Sequence, residues 1–455
     1  MATLPEPGVW SRSYYLLTLG LILTVAATAF EALAIATTLP ATVRELGGLA
    51  LYGWAFSAFM LTNLVGITLA GGEADRYGPA RPFVIGVILF ALGLLISGFA
   101  PAMLVVIIGR GVQGFGAGAI ASVAYVAIGR GFPEAAKARM LALLSSAWVV
   151  PGLIGPALAG LIGDHLGWRW VFLLLAPLAP LAACLALPAL RHLPGNPKAI
   201  RDWQRIRASV RLPLGVAMIV VAVELRSLPL VALLAAVGLV LAIPALHRLL
   251  PAGTLRAKAG LPAAIATMGL LNLGFFGADA FVPLALRNVR GQTGTAAGLA
   301  LTAATVCWST GSWIQARLAA GGGGRGRVML GQAFIAIGAA GIALVVTTNV
   351  PVLLAVVAWG IAGLGMGLAF STISLVVLEQ ALPGQEGTTS SAMQLVSGLG
   401  TALGTGLGGA VIAYFSIANT TPRTGILIQD LLMIGVLMIG IIAALGLPTD
   451  PHRVF

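Results

Sequence analysis

Apolar residues gather into fourteen runs, near 14–39, 52–72, 81–99, 102–128, 137–163, 168–190, 212–224, 228–250, 261–286, 295–318, 327–347, 351–378, 388–416 and 424–447. Most reach the roughly 20 residues an α-helix needs to cross a bilayer. The seventh, from Leu212 to Glu224, is short. The pattern predicts an all-α polytopic membrane protein. The first run is too long for the apolar region of a cleavable signal and is followed by no obvious small-residue cleavage site, so it is read as a span.

Composition agrees. Soluble domains carry about 25% charged residues, whereas 9% are charged here and 59% apolar. A net charge of +12 raises the question of nucleic acid, but the distribution argues against it. With the N-terminus inside and the runs alternating, nineteen of the 26 Lys and Arg fall on the inner side, six on the outer side, and Arg110 lies within a run. That is the positive-inside pattern, with both termini cytoplasmic. Only three of the 26 are Lys and Gly is abundant, which points to a GC-rich bacterial genome and so to a bacterial inner membrane. Cys184 and Cys307 both lie in apolar runs, which does not suggest a disulfide framework.

The chain repeats itself. Ser145-Ser146-Ala147 returns as Ser390-Ser391-Ala392, and at that offset Gly155, Ala157, Leu158 and Gly163 meet Gly400, Ala402, Leu403 and Gly408. The glycines Gly111, Gly114, Gly116 and Gly118 return as Gly360, Gly363, Gly365 and Gly367, where Trp359 stands for Arg110 and Ala362 for Gln113. Two parallel six-helix halves are expected, 1–190 and 261–455. The two runs left over, within 191–260, form an inserted hairpin that turns near Glu224–Ser227. Before it, Ile200, Trp203, Ile206 and Val210 recur at helical spacing among Arg201, Arg205 and Arg207. This segment reads either as a basic amphipathic helix on the inner membrane surface or as an ordinary basic linker.

Charges inside apolar runs mark candidate chemistry, because placing one at mid-membrane costs roughly 2.5–3.5 kcal/mol on insertion scales. Glu31 and Asp279 occupy equivalent first and seventh spans of a twelve-span core. Thr24, Thr28 and Thr38 share the helical face of Glu31, and Asn272 shares that of Asp279. Such polar stripes should face a water-filled cavity. Removal from water penalises the ionised carboxylate, so each acid can trade a proton for a cation. Arg110 has Gln113 on its face, and as a fixed cation it would stabilise the charged form of Glu31. Arg110 could instead brace helices through backbone carbonyls. Asn63, Trp148, Trp308 and Gln394 are candidate cavity residues, each also compatible with packing. Asp430 lies near the outer end of the last run and reads as interfacial. Glu73, Asp164 and Glu379 stand at span ends.

Four segments occur in order: Gly71-Gly72-Glu73-Ala74-Asp75-Arg76-Tyr77-Gly78 between the second and third runs, Arg110 to Gly118 in the fourth, Pro151 to Gly160 in the fifth, and Trp168-Arg169-Trp170-Val171-Phe172 opening the sixth. Together they resemble the major facilitator superfamily, and within it the fourteen-span drug:proton antiporter branch. The resemblance covers nearly the whole chain. It implies a conformational latch at Gly71, Asp75, Arg76 and Gly78, although Pro79 and Ala80 replace two residues that are often basic. It also implies an antiporter segment at Gly152, Gly155, Pro156 and Gly160, where Pro156 should bend the helix. The resemblance further assigns Arg110 to proton transfer, and the first-span acid fits Glu31 followed by Thr38-Leu39-Pro40.

The expectation is therefore a monomeric secondary transporter in the lipid bilayer, exporting hydrophobic or cationic small molecules against protons. It would need no cofactor beyond the proton gradient, no metal and no nucleic-acid partner. The alternatives are export of an endogenous lipid or metabolite and, less well matched by the fifth run, import of a small nutrient. His165, His192, His247 and His452 all lie at loops or span ends, so no catalytic cluster emerges to suggest an enzyme, and the paired acids give no support to a sensor.

Overall fold

The structure, a computed structural model, describes residues 9–12, 14–195, 202–224, 227–318, 323–381, 386–417 and 422–448. Among them every regular element is helical: α1 Tyr15–Leu46, α2 Tyr52–Tyr77, α3 Ala80–Gly98, α4 Met103–Gly131, α5 Glu134–Ser146, α6 Val149–His165, α7 Arg169–Leu175, α8 Leu178–Arg191, α9 Trp203–Glu224, α10 Leu228–Leu249, α11 Leu261–Asp279, α12 Val282–Leu284, α13 Gly294–Leu318, α14 Gly324–Thr347, α15 Leu353–Glu379, α16 Glu386–Ile417 and α17 Pro422–Ala443. A π-turn at Ala285–Val289 follows α12.

Twelve helices among the described residues are long and apolar enough to cross a membrane. The runs at 137–163 and 295–318 fall outside that set for different reasons. The second is one 25-residue helix, α13, diluted by Thr, Ser, Gln and Arg. The first is divided into α5 and α6 at Ala147-Trp148. Proline explains the division, because Pro151 donates no hydrogen bond to the Ala147 carbonyl and its ring crowds that position. Pro156 lies inside continuous α6. The same rule ends α11 at Asp279, four residues before Pro283.

The insert also differs from expectation. Residues 203–211 do not form a separate surface helix or a linker; they continue directly into the short seventh run as the single helix α9. Ala208, Leu212, Val216 and Val220 make its buried side, packing on Leu61 of α2 and Leu399 and Ala402 of α16. Lys198, Ile200 and Arg201, and the turn residues Leu225 and Arg226, lie outside the described residues.

The helices pack as an N-terminal bundle, α1–α8, and a C-terminal bundle, α11–α17. The repeated glycines do the same work in each. A Cβ on Gly114 would overlap the Phe59 carbonyl of α2, and one on Gly363 would overlap the Ala304 carbonyl of α13. Gly118 against Asn63 and Gly367 against Trp308 repeat the arrangement one turn on. Omitting the side chain lets α4 and α15 approach their neighbours backbone to backbone. The bundles meet along two seams, α6 with α13 and α2 with α16. For orientation, the end of the molecule where α1 finishes is called the Glu45 face, and the end where α2 finishes is called the Asp75 face.

Candidate functional site

Glu31 and Arg110 form a buried ion pair between α1 and α4. Their side chains are each about 2% exposed. Helix α4 can carry a long side chain here because its flanking glycines bring it close to α2. Arg110 Nε donates to the Ala55 carbonyl at 2.9 Å, Nη1 donates to Glu31 and also to Gln113 Oε1 at 3.0 Å, and the guanidinium lies 4.3 Å from the Phe59 ring centroid. Arg110 therefore meets both a carboxylate and a backbone carbonyl. Glu31 Oε2 is buried without a hydrogen-bond partner.

Asp279 has a different partner. Its Oδ1 accepts a 2.7 Å hydrogen bond from the Trp359 indole, and it is half-buried rather than sealed. Trp359 stands where the repeat places Arg110, so the same geometry pairs acid with cation in one bundle and acid with a neutral donor in the other. Phe275 stacks on Trp359 at 5.5 Å with an interplanar angle of 15°. Trp308 meets Phe275, Phe276 and Phe370, with centroids 5.6, 6.2 and 5.7 Å away.

Burial along the polar stripes is uneven, with Thr28 and Asp279 partly exposed. Thr24 and Thr38 are buried, and Thr24, Thr28 and Thr38 each donate to a carbonyl three or four residues back in α1. Asn272 is buried and donates to the Met268 carbonyl at 2.8 Å. Helical backbone satisfies these groups without water. Asn63 donates to the Gly114 carbonyl at 3.3 Å and helps hold α2 on α4. Trp148 is exposed at the α5–α6 break, and Gln394 is exposed on α16.

The segment Gly71–Gly78, expected as a loop between spans, instead forms the last turns of α2 and its end at Gly78. Gly78 takes φ +86°, a left-handed conformation that favours glycine, and its N–H donates to the Ala74 carbonyl. Asp75 pairs with Arg130 of α4, which also donates to the Ala74 and Pro194 carbonyls. Arg130 thus supplies a cation that Pro79 and Ala80 do not, from within the same bundle. Arg76 stacks 5.1 Å from the Tyr77 ring, and Gly71 faces Ser122. The antiporter-like segment lines a seam: Gly152 faces Thr305, Gly155 faces Phe30, the Pro156 carbonyl faces Gly298, and Gly160 faces Gly294.

Two acids were underestimated from the sequence. Asp164 joins the bundles at the Glu45 face. It accepts from the backbone N–H of Gly294 at 3.0 Å and of Thr295 at 2.9 Å, from the Thr295 hydroxyl at 3.0 Å, and from Arg287 at 3.2 Å. Arg287 also reaches the Thr37 carbonyl of α1. Tyr52 adds a hydrogen bond to the Ala280 carbonyl, and Ser57 one to Ala402, so this face is closed. Asp430, read as interfacial from the sequence, is 2% exposed within the helix bundle, and its Oδ2 has no partner. Its only sequence signal was a Gln-Asp pair within an apolar run.

Residues 19–405 match the Major Facilitator Superfamily. The multidrug transporter protein MdtP of Bacillus subtilis (strain 168) is 27% identical over 451 residues, 94% of this chain and 79% of that protein. A probable multidrug-efflux transporter of Mycobacterium tuberculosis (strain CDC 1551 / Oshkosh) is 28% identical over 82% of each chain. Among solved structures, a bacterial homologue of the human lysosomal transporter Spinster, in an inward-facing and occupied conformation, aligns with a TM-score of 0.67 at 16% identity over 96% of each chain. A POT family transporter in complex with 5-aminolevulinic acid aligns with the same TM-score at 13% identity, over 96% of this chain and 97% of the other. The fold, the repeated helix contacts and the extent of the sequence match together make this chain a transporter of the Major Facilitator Superfamily.

Proposed function

We propose that the protein is a proton-coupled exporter of hydrophobic or cationic small molecules, working by alternating access in a bacterial inner membrane as a monomer without a cofactor. Two six-helix halves, 1–190 and 261–455, rock about a midplane site, and the insert within 191–260 adds a two-helix hairpin to give 12+2 spans of the drug:proton antiporter type. The Asp75 face is cytoplasmic on the distribution of Lys and Arg. The closed Glu45 face is then the outer one.

The observation that carries this reading is the Glu31–Arg110 pair, a charge pair buried between α1 and α4. An ion pair there adds little stability over apolar residues of similar volume, so its use is functional. Asp279 at the equivalent place in the other bundle gives a second exchangeable carboxylate. Efflux is supported by the names of the similar proteins, and the α6–α13 glycine seam supplies a close-packed surface on which the halves can move.

Everted membrane vesicles containing the protein test the reading. An acid-inside gradient should drive uptake of ethidium, and a protonophore should abolish it. Uptake that survives the protonophore would reject proton coupling.

A further inference from the structure

We propose that the groove between α3 and α8 holds an acyl chain of an anionic phospholipid, whose phosphate sits on Arg81 and Arg191 at the Asp75 face. The site lies apart from the buried acids and from both seams between the bundles. It shares with the export reading only the assignment of the Asp75 face to the cytoplasmic side.

The groove follows from how the two helices are held. Gly86 and Gly93 let α3 close onto α4, where a Cβ would overlap Ala119 and Gln113, and Gly20 lets α1 close onto α8 at Ala186. Each helix is packed tightly against a different partner, and a groove is left between them. Its sides are Val84 and Ile88 of α3 and Pro180, Cys184 and Leu187 of α8, over buried Phe83. No charged side chain lines it.

Apolar walls accept any hydrocarbon, and the charges at the mouth select among lipids. Arg81 precedes Val84 and Ile88 by three and seven residues, and Arg191 follows Leu187 and Cys184 by four and seven. Each arginine therefore continues the groove face of its helix. The chain brings both ends to one corner. A Cβ on Gly78 would overlap the Leu193 carbonyl, one on Gly195 would overlap the Arg76 carbonyl, and Arg130 donates to the Pro194 carbonyl at 3.3 Å. Arg81 and Arg191 are exposed, and neither has a carboxylate partner among the described residues. Asp75 is taken by Arg130, and Glu73 lies further back on α2. The exposed Tyr77 ring lies 5.1 Å from the Arg76 guanidinium and 5.9 Å from that of Arg81, an aromatic at headgroup level beside two cations.

Depth identifies the occupant as a lipid of one leaflet. At 1.5 Å per residue, Ile88 lies about 10 Å beyond Arg81 and Pro180 about 16 Å beyond Arg191. Half of the hydrocarbon core is roughly 15 Å thick. A phosphate accepts charge-assisted hydrogen bonds from guanidinium groups, often two at a time. An anionic headgroup leaves that charge pairing intact, whereas a choline headgroup brings a cation that the two arginines repel.

Photolabelling of the full chain in detergent micelles tests the proposal, using phosphatidylglycerol that carries a diazirine in one acyl chain. Peptide mass spectrometry should find at least roughly fivefold more label within 83–88 and 180–187 than from phosphatidylcholine with the same chain, while exposed α10 is labelled equally by the two lipids. Arg81→Gln/Arg191→Gln should lower phosphatidylglycerol labelling of the groove to the phosphatidylcholine level. Arg256→Gln/Lys258→Gln, which removes equal charge elsewhere, should leave it unchanged. Monodisperse elution shows that each variant is folded. Excess soluble glycerol 3-phosphate should not displace the label; displacement would mean a free-phosphate site and overturn the lipid assignment. Equal groove labelling by the two lipids, or undiminished labelling in Arg81→Gln/Arg191→Gln, would mean ordinary annular lipid and overturn the proposal. Ethidium uptake in vesicles reads the export reading independently of any of these results.

Discussion

Arg110 and Glu31, 79 positions apart in the chain, form an ion pair whose two side chains are each about 2% exposed. Removing one partner strands the other. Arg110→Ala should therefore destabilise the protein by about 3–5 kcal/mol, the usual cost of breaking a buried pair. The double variant Arg110→Ala/Glu31→Gln should recover much of that loss, because no buried charge remains unpaired. Thermal unfolding of Arg110→Ala, Glu31→Gln and the double variant in detergent gives the coupling. Additive losses would mean that the pair contributes nothing as a pair.

Closure of the Glu45 face depends on Asp164. Four donors from the C-terminal bundle converge on its carboxylate. Hydrogen bonds to a charged group contribute about 1.5–3 kcal/mol each at most in such settings. Asp164→Ala should thus shift the conformational balance toward opening at that face by at least roughly tenfold. A cysteine placed at buried Thr37 should then react faster with a membrane-impermeant maleimide. Equal labelling in both backgrounds would show that Asp164 does not hold the face shut.

The α6–α13 seam has no room for added side chains. At Gly298 a Cβ would overlap the Pro156 carbonyl, and at Gly160 one would overlap the Gly294 carbonyl. Gly298→Val should separate the bundles and reduce transport strongly, whereas Gly72→Val, at a position with open space, should change it little. Substrate uptake in everted vesicles, normalised to protein amount, distinguishes them. Similar transport by both variants would remove the seam from the mechanism.

Burial alone does not make an acid part of the exchange. Asp430 is as buried as Glu31, yet α17 packs on α11, α14 and α16, away from the seams between bundles. Asp430→Asn should keep substrate-driven proton movement within about twofold of the intact protein, since a neutral isostere keeps the packing. Abolished exchange in this variant would show that Glu31 and Asp279 do not carry the exchange alone.

Much of this arrangement could be read in the chain, for definite reasons. Apolar runs and glycine spacing carry the helices and their close contacts, because membrane span length and small-residue packing are local properties. Arg110 and Glu31 stood out because a charge in an apolar run requires a partner, and the structure places the two together. The repeat already aligned Trp359 with Arg110, but a tryptophan in a membrane helix gives no signal of a polar role until its acid is in view. The threonine spacing did not reveal that carbonyls of the same helix accept each hydroxyl. Asp164 was obscure because its four donors come from the other bundle, more than 120 positions away in the chain. The breaks before Pro151 and Pro283 followed from proline chemistry, but the continuous apolar runs concealed them.

The central claim is exchange of substrate for protons through these acids. It is tested most directly by proton release from reconstituted vesicles when a lipophilic substrate is added, comparing the intact protein with Glu31→Gln, Asp279→Asn and Arg110→Ala. The account expects substrate-triggered proton movement in the intact protein and its loss in both acid variants. Unchanged substrate transport and proton movement in Glu31→Gln and Asp279→Asn would make the acids structural and contradict the account.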